Sequence, residues 1–144
     1  MLWTGTFSDD EPALRNQEAN CCMATILVVE DQDEIATLIR FKLKNSGHDV
    51  LLAENGEVGL ASARSGSPDL IILDVTMPVM DGLTALRALK SDEKLKSIPV
   101  IMLTAQSSEP AVVEAFKLGA VDYITKPFRG REFLERVEAA LSAR

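Results

Sequence analysis

Four short apolar runs, Ile26-Leu27-Val28-Val29, Val50-Leu51-Leu52-Ala53, Leu70-Ile71-Ile72-Leu73 and Val100-Ile101-Met102-Leu103, and a mixed fifth, Val121-Asp122-Tyr123-Ile124, alternate with stretches of helical periodicity. Strand and helix alternating five times are the pattern of a parallel sheet covered by helices on both faces, a (βα)₅ α/β domain. The first helix is predicted from about Asp33 to Asn45, with Ile35, Leu38, Ile39 and Leu43 on one face and Gly47 as its stop signal. A short helix from Gly56 to Ser65 follows the second strand, and a third runs from Asp81-Gly82 to about Ser91 with Leu83, Leu86 and Leu89 inward. Pro99 is tolerated where the fourth strand begins. The fourth helix starts near Pro110, a residue suited to a first helical turn, and reaches Leu118 before Gly119. The last spans about Gly130 to Ser142 and buries Phe133, Leu134, Val137 and Leu141.

Charge is concentrated where the apolar runs stop. Leu70-Ile71-Ile72-Leu73 ends at Asp74, and Ile26-Leu27-Val28-Val29 ends at Glu30-Asp31. In an open α/β sheet the carboxyl ends of the strands carry the ligand crevice, so three carboxylates are delivered to one edge. Like charges about 4 Å apart cost on the order of 4 kcal/mol at an effective dielectric near 20, so something cationic must sit among them. A divalent metal and a lysine are the candidates, and Lys126 stands just past the fifth run. The fourth run ends at Thr104, which brings a hydroxyl. Hard oxygen ligands suit Mg²⁺, whereas one His and an adjacent Cys pair make a poor transition-metal site.

The segments ILVVED at 26–31, DLIILDVTMPVMDG at 69–82, VIMLTA at 100–105 and DYITKPF at 122–128 resemble a response-regulator receiver domain over residues 24–143. The resemblance implies the flavodoxin-like strand order 2-1-3-4-5, with Asp74 accepting a phosphoryl group from a histidine kinase or phosphotransfer protein. It implies Mg²⁺ held by Asp31 directly, by Glu30 through water, by Asp74 and by the Thr76 carbonyl. Thr104 and Tyr123 resemble the switch pair and Lys126 the phosphate-binding lysine. The Lys126-Pro127 bond is then a cis candidate, X-Pro being the context where cis is cheap. Gln106 and Thr76 would flank the approach and tune hydrolysis. A receiver is expected to be a signalling phosphoacceptor that assists its own phosphorylation and dephosphorylation, not an enzyme acting on other substrates.

The usual output surface of such domains is the face of the fourth helix, fifth strand and last helix. Members that dimerise there to bind DNA carry a basic residue early in the fourth helix and two acids before the aromatic. This chain has Val112 and Val121-Asp122 instead, which points to an apolar contact with a target protein. The chain ends just after the last helix, so a stand-alone regulator is the first expectation and a receiver excised from a longer transcription factor or enzyme the second.

Composition agrees. At 144 residues and 47% hydrophobic the chain can bury a core, and its net charge of −7 and pI near 4.7 speak against a nucleic-acid surface. No apolar stretch approaches the roughly 20 residues of a membrane span, and the N-terminus lacks the pattern of a signal peptide, so a cytoplasmic address is expected. Residues 1–22 lie outside the resemblance; four acids against Arg15 give them a net −3. With Met23 directly before the first strand, they are read as a tail dispensable for folding, with the receiver at 23–144, although Trp3 and Phe7 could dock. The adjacent Cys21 and Cys22 are not expected to form a structural disulfide, and His48, in a Ser-Gly-His-Asp turn, is expected to be solvated.

Each residue has a plainer reading alone: Glu30 and Asp31 as helix-capping acids, Asp74 as a turn starter, Thr104 as a strand end, Tyr123 as a half-buried aromatic, Lys126 as a solvated lysine. All of these would have to hold together at matching strand ends. A haloacid-dehalogenase-type hydrolase needs a second Asp two positions after the nucleophile, where this chain has Thr76. A flavodoxin needs a phosphate loop after the first strand, where Glu30-Asp31-Gln32-Asp33-Glu34 would repel a phosphate.

Overall fold

The computed structural model of the chain describes residues 24–75, 82–104, 109–126 and 128–142. Among the described residues ten elements alternate strictly: β1 (Thr25–Val29), α1 (Asp33–Asn45), β2 (Asp49–Ala53), α2 (Gly56–Gly66), β3 (Leu70–Asp74), α3 (Gly82–Ser91), β4 (Val100–Thr104), α4 (Glu109–Lys117), β5 (Asp122–Thr125) and α5 (Gly130–Ser142). The strands form one parallel sheet in the order β2-β1-β3-β4-β5. Registers of Val29 with Leu73, Asp74 with Leu103 and Thr104 with Thr125 bring the C-terminal ends of the four strands to one edge.

Because successive strand residues point to opposite faces, the central runs feed two cores. Leu27, Val29, Ile71, Leu73, Val100 and Met102 pack under Leu60 and Ala63 of α2, Ala85, Leu86 and Leu89 of α3 and Ala115 of α4. Ile26, Val28, Leu70, Ile72, Ile101, Leu103 and Ile124 pack under Ile39 and Leu43 of α1 and Phe133, Val137 and Leu141 of α5. Burying apolar surface on both faces at about 25 cal/mol per Å² is what stabilises the sheet. The α2 helix is fixed by local chemistry: Asn55 Oδ1 accepts the Val58 N–H at 2.9 Å at one end, and Ser67 takes the left-handed conformation (φ 44°) at the other.

Three details differ from the sequence reading. Leu38 is 46% exposed, because the sheet-facing stripe of α1 is Ala36, Ile39 and Leu43, and Leu38 lies about 100° around the helix from Ile39. The fifth strand begins one residue later than expected, so Val121 is exposed although its N–H still reaches the Val100 carbonyl at 2.9 Å. His48 is buried, not solvated: its ring accepts the Ala24 N–H and meets Glu138 of α5. The tail at residues 1–22, with Cys21 and Cys22, lies outside the described residues.

Candidate functional site

The edge defined by the strand ends holds the predicted carboxylates together. One oxygen from each of Glu30, Asp31 and Asp74 lies within 4.8 Å of the others. Glu30 and Asp74 are buried while Asp31 is exposed, so the cluster opens to solvent on one side. Lys126 answers the charge. Its Nζ is 3.0 Å from Glu30 Oε1 and 3.0 Å from Asp74 Oδ2, and it donates a hydrogen bond to the latter. Because the β5 end lies two strands from β3, the lysine reaches in over β4; its own N–H is held by the Thr104 carbonyl at 2.6 Å.

Burial pushes the Glu30 carboxyl up to about 7; Lys126 opposes that rise and Asp74 adds to it. Burial pulls the Lys126 ammonium down, but the Glu30 and Asp74 carboxylates outweigh it and hold the ammonium above the usual lysine range. Glu30 Oε2 accepts the Gln32 N–H at 3.1 Å. Glu30 Oε1 is buried and, among the described residues, makes no hydrogen bond beyond its ion pair with Lys126. Three carboxylates against one ammonium leave negative charge over, and the donors are all hard oxygens. This acidic pocket has the hard-oxygen donor set that can hold a metal ion.

Thr104 is buried at the end of β4, and strand alternation puts it on the same face as Met102, the face that α4 covers. Tyr123 lies on that face too, half-buried, its ring edge-on to Phe116 of α4 with centroids 6.0 Å apart and planes at 83°. The structure thus brings Glu30, Asp31, Asp74 and Lys126 together, and sets Thr104 between them and Tyr123's side of the sheet. Thr76, Gln106 and Pro127 lie outside the described residues. The outward apolar residues of α4 are Val113 and Phe116, with Val121 beyond them; Val112, expected to mark this surface, is half-buried.

Two features escaped the sequence reading. Gly82 opens α3 so close to the site that a Cβ there would lie 2.2 Å from the Asp74 carbonyl oxygen and 2.7 Å from Val75 Cα. Its N–H bonds the Val75 carbonyl at 2.8 Å, tying the start of α3 to the residue after β3. Arg136 of α5 bonds Asp122 Oδ1 at 2.6 Å and the Tyr123 carbonyl at 3.2 Å, tying α5 to the β5 backbone. A glycine after an aspartate and an arginine on an amphipathic helix carry no signal of either contact.

A family model for the response regulator receiver domain matches residues 26–138. The chain belongs to the response-regulator receiver family. This receiver is 44% identical over 116 residues to the alkaline phosphatase synthesis transcriptional regulatory protein PhoP of Bacillus subtilis, covering 81% of this chain and 48% of that one. Among solved structures it is similar to the chemotaxis protein CheY4 of Vibrio cholerae, at 32% identity and TM-score 0.79 over 82% of this chain and 98% of that one. The receiver domain of the Francisella response regulator 1452 gives 32% identity and TM-score 0.77 over 83% and 98%. The chain spans about half the length of the curated relatives it matches. The expected fold and strand order are borne out, and the receiver serves phosphorylation-dependent two-component signalling. Among the described residues no helix is long and apolar enough to cross a membrane.

Proposed function

We propose that Asp74 is the phosphoacceptor of this receiver, and that a histidine kinase or histidine phosphotransfer protein is its donor. The observation that carries this reading is the Lys126 ammonium 3.0 Å from both Glu30 and Asp74 at the end of a buried strand. An Asp74 carboxylate oxygen attacks the phosphorus, the new O–P bond forms as the P–N bond to the donor imidazole breaks, and the imidazole leaves with the electron pair. The product carries about two negative charges. Lys126 holds part of that charge as it develops on the transferring oxygens, and Thr104 offers its hydroxyl to one of them. Asp31, Asp74 and Glu30, with the Thr76 carbonyl, are the residues that would hold Mg²⁺, which when bound supplies electrostatic stabilisation of the transferring phosphoryl group. Protein chemistry here is positioning. The receiver assists its own phosphorylation and dephosphorylation and turns over no other substrate.

The exposed Val113, Phe116 and Val121 support output through α4, β5 and α5 to a target protein. Relatives such as PhoP are named transcriptional regulators. With −3 of the chain's net charge of −7 in residues 1–22, the receiver itself carries −4, and it would act there as the switch and not as the contact to DNA. We place it in the cytoplasm, with its donors. The test is incubation with Mg²⁺ and acetyl phosphate. One acid-labile, hydroxylamine-sensitive phosphoryl group should appear and vanish in Asp74→Asn. A stable phosphoester on Ser or Thr would sink the reading.

A further inference from the structure

His48 closes the turn between α1 and β2. Gly47 ahead of it has φ +93°, a conformation that glycine adopts without strain, and the His48 N–H is held by the Leu43 carbonyl at 3.1 Å. The ring is swung inward and its side chain is fully buried. Nδ1 is 3.2 Å from the Ala24 N–H, and Nε2 is 2.8 Å from Glu138 Oε2. A backbone N–H can only donate, so Nδ1 is the bare nitrogen. The one proton of the neutral imidazole therefore sits on Nε2 and is donated to Glu138. Nothing in the phosphoacceptor chemistry uses this histidine, which lies at the opposite end of the sheet from Asp74.

We propose that His48 is a proton-operated clasp between the start of β1 and the last turns of α5. A second proton would go on Nδ1, on the side where the Ala24 N–H already points. Two donors then face each other and that bond is lost, while the Nε2–H to Glu138 bond becomes an ion pair between imidazolium and carboxylate. Protonation thus moves the hold of the imidazole from β1 to α5. The strand stays seated, because the Ala24 carbonyl still accepts the Asp49 N–H at 2.9 Å and the Thr25 N–H still meets Asp69 Oδ2 at 2.9 Å. Glu138 is in contact with the ring, Arg131 and Glu135 of α5 line the same groove as Glu138 and Ser46, and the neighbouring elements carry Lys44 in the last turn of α1 and Asp49 and Asp69 at the strand starts. Glu138 is the one that favours the charged ring directly.

The experiment is NMR of the ring nitrogens and backbone amides of the full chain between about pH 8 and about pH 5. The neutral ring should carry its proton on Nε2, and the Ala24 amide shift should titrate in step with the ring. In His48→Gln, whose amide can accept from Ala24 and donate to Glu138 but cannot titrate, the Ala24 shift should stay flat. Glu30 titrates in the same window at the other end of β1, and comparison with His48→Gln removes its contribution. Should His48→Gln not fold, Glu138→Gln, altering a part-exposed side chain, should move the midpoint of the Ala24 titration to lower pH. A proton on Nδ1 in the neutral ring, an Ala24 amide that does not titrate or titrates equally in His48→Gln, or an unmoved midpoint in Glu138→Gln would overturn the clasp.

Discussion

Gly82 shows how little room the site leaves at the scale of one residue. Its missing side chain lets the start of α3 rest on the backbone behind Asp74, and the atoms a methyl would strike, the Asp74 carbonyl and Val75 Cα, are main chain and cannot rotate away. Gly82→Ala is therefore expected to lose about 3 kcal/mol in urea unfolding, the upper part of the usual overpacking range. It should also slow phosphorylation, because relief would come by shifting Asp74 itself. An alanine variant of parental stability would show that α3 can retreat. Lys126 is the complementary case: one flexible side chain from a different strand supplies the neutralisation that Glu30 and Asp74 both require.

Two elements illustrate separate kinds of control. The α2 helix is set at its ends, and its two caps predict opposite signs: Asn55→Ala should cost about 1 kcal/mol by releasing the Val58 N–H. Ser67→Gly should gain a fraction of the roughly 1–2 kcal/mol that a left-handed conformation costs a residue with a Cβ. Chemical denaturation of both variants checks the pair. The β4–α4–β5 layer is set by packing, with Thr104 and Tyr123 on one face and Phe116 edge-on to the Tyr123 ring. A ligand shifts a conformational equilibrium only through unequal affinity for its states, so the phosphoryl group must favour one placement of the Thr104 hydroxyl. Moving it toward Asp74 vacates space on the Tyr123 side. Thr104→Ala should still be phosphorylated, while beryllofluoride, an acyl-phosphate mimic, should no longer move the Tyr123 and Phe116 resonances; parental shifts would exclude this coupling.

For the whole molecule, the acidic edge makes stability depend on pH when divalent cations are chelated. The Glu30 carboxyl is raised from 4.5 to about 7 by burial. Below pH 4.5 it is protonated in folded and unfolded chains alike, so its contribution is fully present. As pH rises toward about 7 the unfolded carboxyl ionises first, and stability is lost on the order of 1 kcal/mol per unit until the folded carboxyl ionises too. Melting in EDTA across this window should show the loss in the parent and a flatter profile in Glu30→Gln. Identical profiles would mean that Glu30 is not the group responsible.

The architecture and the chemical inventory of the site were legible in the sequence because both are written in local patterns. Apolar runs of strand length alternating with helical periodicity point to a parallel sheet covered on both faces, the family resemblance implies its strand order, and carboxylates stopping two of those runs are delivered to one edge of such a sheet. What could not be read depends on atoms far apart in the chain. His48 meets Glu138 across 90 positions, Arg136 meets Asp122 across 14, and Lys126 reaches Asp74 across 52. Lys126 was foreseeable, since three gathered negative charges demand a cation. His48 and Gly82 were not, because a turn histidine and a glycine at a helix start look alike whether they face water or a packed interior. Only the closing of α5 over β1 and of α3 over β3 decides which, since burial is a property of the neighbours and not of the residue.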